Sequence, residues 1–246
     1  MAKQIGIIAL KGTINGVNYY SSKGKAFMRK SGGGFKSEAI KKDPNMVRVR
    51  ETYAEFGNTS KVKKIFRTTL LPFFGNQKDE TLHGRMMQLF LQIKDCDLTS
   101  ERGKRQVGLG LLTAEGQQLL TSFEFTPHPL VLSTGVYDAS SFTYGVTALD
   151  PSDLRYRNGA THLELRLGVL VFDFEELQAT LFSSVPLVLA KAMPPTHFSL
   201  APTTTPSGAG IRITVLGYRY LQELNGRFYP LKDKMVYGLK VLEITN

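Results

Sequence analysis

Tyr19, Tyr20 and Phe27 stand among Lys23, Lys25, Arg29, Lys30 and Lys36. Cationic side chains neutralise phosphates, and aromatic rings stack on bases. This interleaving therefore suits a nucleic-acid surface. The same residues suit an arm that docks on a neighbouring subunit, because edge strands invite pairing unless charge blunts them. A second basic cluster, Lys61, Lys63, Lys64 and Arg67, sits on a predicted helix, where Lys61, Lys64 and Arg67 lie toward the side away from an apolar stripe of Val62, Ile65, Phe66 and Leu70. It reads as a further anion-contact candidate or as an ordinary solvated helix face.

Residue patterns for bond-making chemistry are missing from the sequence. His83, His128, His162 and His197 never pair at i,i+2 or i,i+4 spacing, and no His-Glu-x-x-His or Cys-x-x-Cys occurs. Gly24-Lys25 runs into Ala26, not Ser or Thr, so the phosphate-loop pattern fails. No Gly-x-Ser-x-Gly elbow is present. The single Cys96 follows an apolar helix and reads as a buried, inert thiol. His162 alternates with Leu163 and Leu165, as a surface or partly buried strand residue would. The expectation is a protein that is not an enzyme and uses no metal and no cofactor.

Charge sharpens the partner question. The 246 residues carry 31 Lys+Arg against 21 Asp+Glu, a formal +10. Residues 1–105 hold net +12 and residues 106–246 net −2. Such asymmetry points to an anionic partner for the first part. Nucleic acid is one; an acidic patch on another copy of the chain is the other. The opening MAKQIGIIALKG lacks a signal peptide's apolar stretch and cleavage site. Apolar runs such as Leu167–Phe172 fall far short of the ~20 residues that span a bilayer. A soluble cytoplasmic protein with no membrane partner is expected.

The elements that must position these residues follow an α+β order. Residues 1–36 read as a β-hairpin or meander arm: Gln4–Leu10 is apolar, and turns fall at Asn15-Gly16 and Ser22-Lys23-Gly24-Lys25. A Gly-rich break at 32–34 follows. Residues 37–118 read as a basic helical segment. Asp43-Pro44 caps a helix with Met46, Val49, Tyr53 and Phe56 as its apolar stripe; Gly57 ends it, and Asn58 or Thr59 caps the next. Pro72 stops that second helix. Further helices are predicted over Leu82–Lys94, after Thr99, and over Ala114–Leu120.

From residue 119 to 246, period-two signals predict an antiparallel β-sandwich. Its strands include Thr121–Phe125, Leu130–Ser133, Phe142–Ala148, His162–Phe174, Ala179–Phe182, Leu187–Ala190, His197–Leu200, Ile211–Leu221, Gly226–Tyr229 and Met235–Ile244.

The runs QIGIIALKGTINGVNYYSSKGKAFMRKSGG and DPNMVRVRETYAEFGNTSKVKK, with the closing NGRFYPLKD, resemble a Bacteroidota family without an established activity. Its members share a Gly-rich hairpin opening and a helix with an Arg…Glu-Phe-Gly stretch, here Arg50 to Gly57. The resemblance covers mainly the first 70 residues and brings no catalytic residues. It implies that hairpin arm and helix act as one unit.

Together these features predict a non-enzymatic structural or assembly protein. It would form homo-oligomers, a filament or a particle through its basic arm and helices. The alternative is a sequence-independent nucleic-acid-binding protein.

Overall fold

The computed structural model describes residues 2–4, 10–32, 37–74, 79–126, 130, 132–232 and 236–246. It divides into two compact units, Met1–Arg50 and Glu51–Asn246. The overall class is the expected α+β: an N-terminal hairpin region, a central run of helices, then antiparallel sheet.

The first unit opens with four antiparallel strands: β1 (Ala2–Lys3), β2 (Gly12–Ile14), β3 (Val17–Ser22) and β4 (Lys25–Lys30). Their order is β1-β4-β3-β2. Both expected turns form. Asn15-Gly16 and Lys23-Gly24 adopt positive φ at both central positions, the twist that joins two strands through a two-residue loop. Of the predicted strand Gln4–Leu10, residues 5–9 lie outside the described set, and so do positions 33–36, including Lys36. A short helix α1 (Ser37–Lys42) follows. Asp43 then accepts the Asn45 N–H at 2.8 Å, and Pro44 opens a single 3-10 turn, as the Asp-Pro pair predicts. Arg50 donates to the carbonyls of Ile40 at 2.7 Å and Asp43 at 3.0 Å, fixing this corner.

The next helix, α2 (Val47–Thr69), does not break at Gly57. A mid-helix glycine costs only about 1 kcal/mol, and the buried line Glu55, Thr59, Val62, Phe66 continues across it. The predicted stripe is not the buried one: Tyr53 and Phe56 are 61% and 49% exposed. α2 ends at Thr69, and a one-turn helix α3 (Leu71–Phe74) carries Pro72 in its first turn. Helices α4 (Leu82–Asp95), α5 (Val107–Leu111) and α6 (Ala114–Thr121) complete the layer. The helix predicted directly after Thr99 does not form, since 97–106 carries no helix. There the Asp97 carboxylate accepts N–H bonds from Thr99, Ser100 and Gln106 and winds the chain into a loop instead.

Two long strands, β7 (His162–Asp173) and β11 (Ile211–Leu224), form the spine of a six-stranded antiparallel sheet. Each flank is shared end to end by two shorter strands. β8 (Gln178–Ser183) and β9 (Leu187–Ala190) line β7; β12 (Arg227–Pro230) and β13 (Tyr237–Thr245) line β11. One core joins the helices to this sheet through Phe66, Phe90, Phe125, Phe172, Ile213 and Leu239. A second core joins the other face, through Leu163, Leu165 and Tyr218, to residues of a three-stranded sheet. Its members are β5 (Gly135–Asp138), β6 (Thr143–Val146) and β10 (Phe198–Leu200), in the order β10-β6-β5.

Two predicted strands are not strands. Thr121 ends α6, and Phe125 is an apolar plug among the helices rather than a ladder residue. Leu130 and Leu132 are buried in the second core without a ladder, while Gly135–Asp138 pairs with β6 unpredicted.

Candidate functional site

Register sorts the N-terminal sheet into two faces, because paired residues point the same way and neighbours along a strand point oppositely. Tyr20 pairs with Phe27, Asn18 with Arg29, Ser22 with Lys25, and Lys3 with Phe27. One face therefore gathers Tyr20 and Phe27 with Lys3, Lys25 and Arg29. The rings of Tyr20 and Phe27 stack with centroids 5.8 Å apart and planes at 25°. The Arg29 guanidinium lies 5.6 Å from the Tyr20 centroid, a cation–π distance. Both rings are half-buried, and the three cations are exposed.

The opposite face carries Ile14, Val17, Tyr19, Met28 and Lys30. Ile14 is 48% exposed. The sequence-predicted residues thus split: Tyr20, Lys25, Phe27 and Arg29 meet on one face, Tyr19 and Lys30 on the other, and Lys23 sits in the turn. Lys3 joins the aromatic face only because β1 pairs with β4, twenty-four positions along the chain, so no local pattern announces it. Lys61, Lys64 and Arg67 belong to the second unit, on α2; the two lysines are exposed and Arg67 is half-buried.

No described residue of the first unit is buried. Among the described residues this two-sided sheet therefore gains little from apolar burial. The unit's basic residues also far outnumber its acidic ones. Residues 1–50 carry eleven Lys and Arg against only Glu38 and Asp43, net +9, and the strands contain no acidic residue. Residues 51–246 carry just +1.

The second unit uses its charges on itself. Lys94 and Glu55, both buried, pair at 2.6 Å; Gly103 N–H adds a bond of 2.7 Å to Glu55. Arg105 bonds Asp95 at 2.9 Å, and Lys104 pairs with Glu101. Of these, Gly103, Lys104 and Arg105 border a cavity of about 460 Å³ between α2, the 103–108 segment and the β7–β8 turn. Its wall includes Thr59, 1% exposed, and Phe174. Lys63 on α2 is also buried, and burial, aided by Arg67, lowers its pKa. Its ammonium lies 3.1 and 3.2 Å from the two ring nitrogens of His83.

Cys96 is buried as expected, and burial pushes its thiol pKa up, away from nucleophilic reactivity. His162 is partly buried against the Phe228 ring. Among the described residues no three metal-ligating side chains converge, and no helix is long and apolar enough to cross a membrane.

The chain matches no family model, no curated protein and no solved structure.

Proposed function

We propose that this protein binds nucleic acid without sequence preference, through its first unit. The observation that carries this reading is the segregation of charge. A fifty-residue unit holds +9 of the chain's +10, while the rest is nearly neutral. A basic arm that docked on its own body would need an acidic surface there, and a body at net +1 supplies little attraction. A phosphate backbone supplies it through counterion release. No catalytic step is part of this reading.

The assembly reading rests on a different observation, the apolar side of the same sheet. Ile14, Val17, Tyr19 and Met28 share that face, and none is buried. A second copy of the sheet would cover it without using the cationic face.

One experiment separates them: light-scattering mass against concentration and salt, with and without nuclease. Nucleic acid that co-purifies and leaves as salt rises supports the first reading. Nuclease-resistant assemblies that free monomers only when Ile14→Lys is introduced support the second. A salt-insensitive monomer free of nucleic acid overturns both.

A further inference from the structure

Building on the nucleic-acid reading, we infer that the Tyr20–Phe27 face is a stacking platform for single-stranded nucleic acid. A duplex presents phosphates and groove edges, and a surface for it needs cations alone. A single strand also offers the π-faces of its bases. Here the two kinds of group occur together. Tyr20 and Phe27 stack across adjacent strands with planes only 25° apart, so they make one half-buried aromatic patch on this face. Lys3, Lys25 and Arg29 project from the same face, where they meet the phosphates that flank stacked bases. Arg29 already lies over the Tyr20 ring, and a guanidinium plane stacks on bases as well. Stacking is indifferent to base identity, and Thr13, Asn18 and Ser22 share this face, where they can hydrogen-bond sugar or phosphate. The opposite face carries one aromatic, Tyr19, beside Ile14, Val17 and Met28, and lacks such a ring pair.

The test is fluorescence anisotropy of the full chain with labelled oligo(dT), oligo(U) and a duplex of equal length, over a range of salt. Two pairs of substitutions accompany it: Tyr20→Leu with Phe27→Leu, which keep apolar bulk on the face, and Lys25→Glu with Arg29→Glu. With Lys3, Lys25 and Arg29 engaged, log K should fall against log salt with a slope of about −2 on single strands. The preference for single strand over duplex should widen as salt removes the phosphate contribution and leaves stacking. The leucine pair should weaken single-strand binding about 5–150-fold per stacked base and leave duplex binding unchanged. Circular dichroism of the leucine pair checks that the sheet persists, and Phe27→Tyr, which retains a stacking ring, should restore binding beside Tyr20. Equal loss on oligo(dT) and oligo(U) supports a platform blind to the sugar; loss on one alone assigns the site to DNA or to RNA. If the folded leucine pair binds single strands as tightly as wild type while the glutamate pair abolishes binding, the platform is wrong and the nucleic-acid reading stands. If no probe binds at low salt, both fall.

Discussion

Lys94 and Glu55 meet at 2.6 Å where each side chain is less than a tenth exposed, tying α4 to the buried line of α2. The carboxylate has further partners in the Gly103 N–H and in Arg105 at 3.7 Å, and Lys94 also reaches Asp95 at 2.7 Å. Removing one member strands the other charge in the interior, whereas removing both does not. Glu55→Gln or Lys94→Met should therefore each cost about 3–5 kcal/mol in urea unfolding. The double variant Glu55→Leu/Lys94→Met should cost clearly less than the two single effects combined. Additive losses would mean the pair is not coupled.

The same cluster sets an acid limit. Burial alone would raise the Glu55 pKa, but Lys94, the Gly103 N–H and Arg105 outweigh it and hold the carboxyl below its ordinary value of 4.5. A carboxyl with a lowered folded pKa contributes stability above its unfolded pKa, and loses it as pH falls through the folded one. Asp97 acts with the same sign: burial opposes ionisation, but Ser100, Gln106 and Thr99 favour the carboxylate more strongly. The urea midpoint should hold near neutrality and drop below about pH 4.5. Asp97→Asn should flatten that drop, since its 99–106 loop no longer depends on a carboxylate. An unchanged acid profile in Asp97→Asn would place the titration elsewhere.

Local chemistry made the arm legible in the sequence. Asn15-Gly16 and Lys23-Gly24 fix two-residue turns, and the turns fix the register that puts Tyr20 opposite Phe27. Composition could not show which aromatic shares a face with which cation. That needs the pairing, and for Lys3 a long-range pairing. The buried line of α2 was hidden for a different reason: two of its positions, Glu55 and Thr59, are polar. A hydrophobic-period reading therefore moved the stripe to Tyr53 and Phe56, which face water. Phe125 misled similarly. An aromatic run beside threonines reads as strand, but burial among Phe66, Phe74 and Phe123 requires no ladder.

Ser184 splices the flank of β7. Between the end of β8 and the start of β9, its N–H donates to the Leu167 carbonyl at 2.9 Å, and its hydroxyl accepts the Leu167 N–H at 3.0 Å. The residue is 4% exposed, so water does not replace the hydroxyl. Ser184→Ala should leave the Leu167 N–H buried and unsatisfied, at a cost of about 1–3 kcal/mol. Hydrogen exchange checks the cause: the Leu167 amide should lose protection before its neighbours on β7. Uniform loss of protection along β7 would show a general destabilisation instead.

Phe73 of α3 rests on two glycines of the central strands, Gly168 of β7 and Gly217 of β11. A Cβ at Gly168 would come within 2.6 Å of Phe73 Cζ, and one at Gly217 would collide with Phe73 Cδ1. Glycine is therefore required at Gly217 by the ring above it, not by its backbone conformation. Gly217→Ala should cost about 1–3 kcal/mol by overpacking, and Phe73→Ala about 3–5 kcal/mol by leaving a cavity. In the double variant the added methyl enters the space the ring has left. The alanine at 217 should then be neutral or stabilising, a coupling that a four-protein urea cycle reads directly. If Gly217→Ala costs as much without the ring as with it, the ring does not lie where the glycine does.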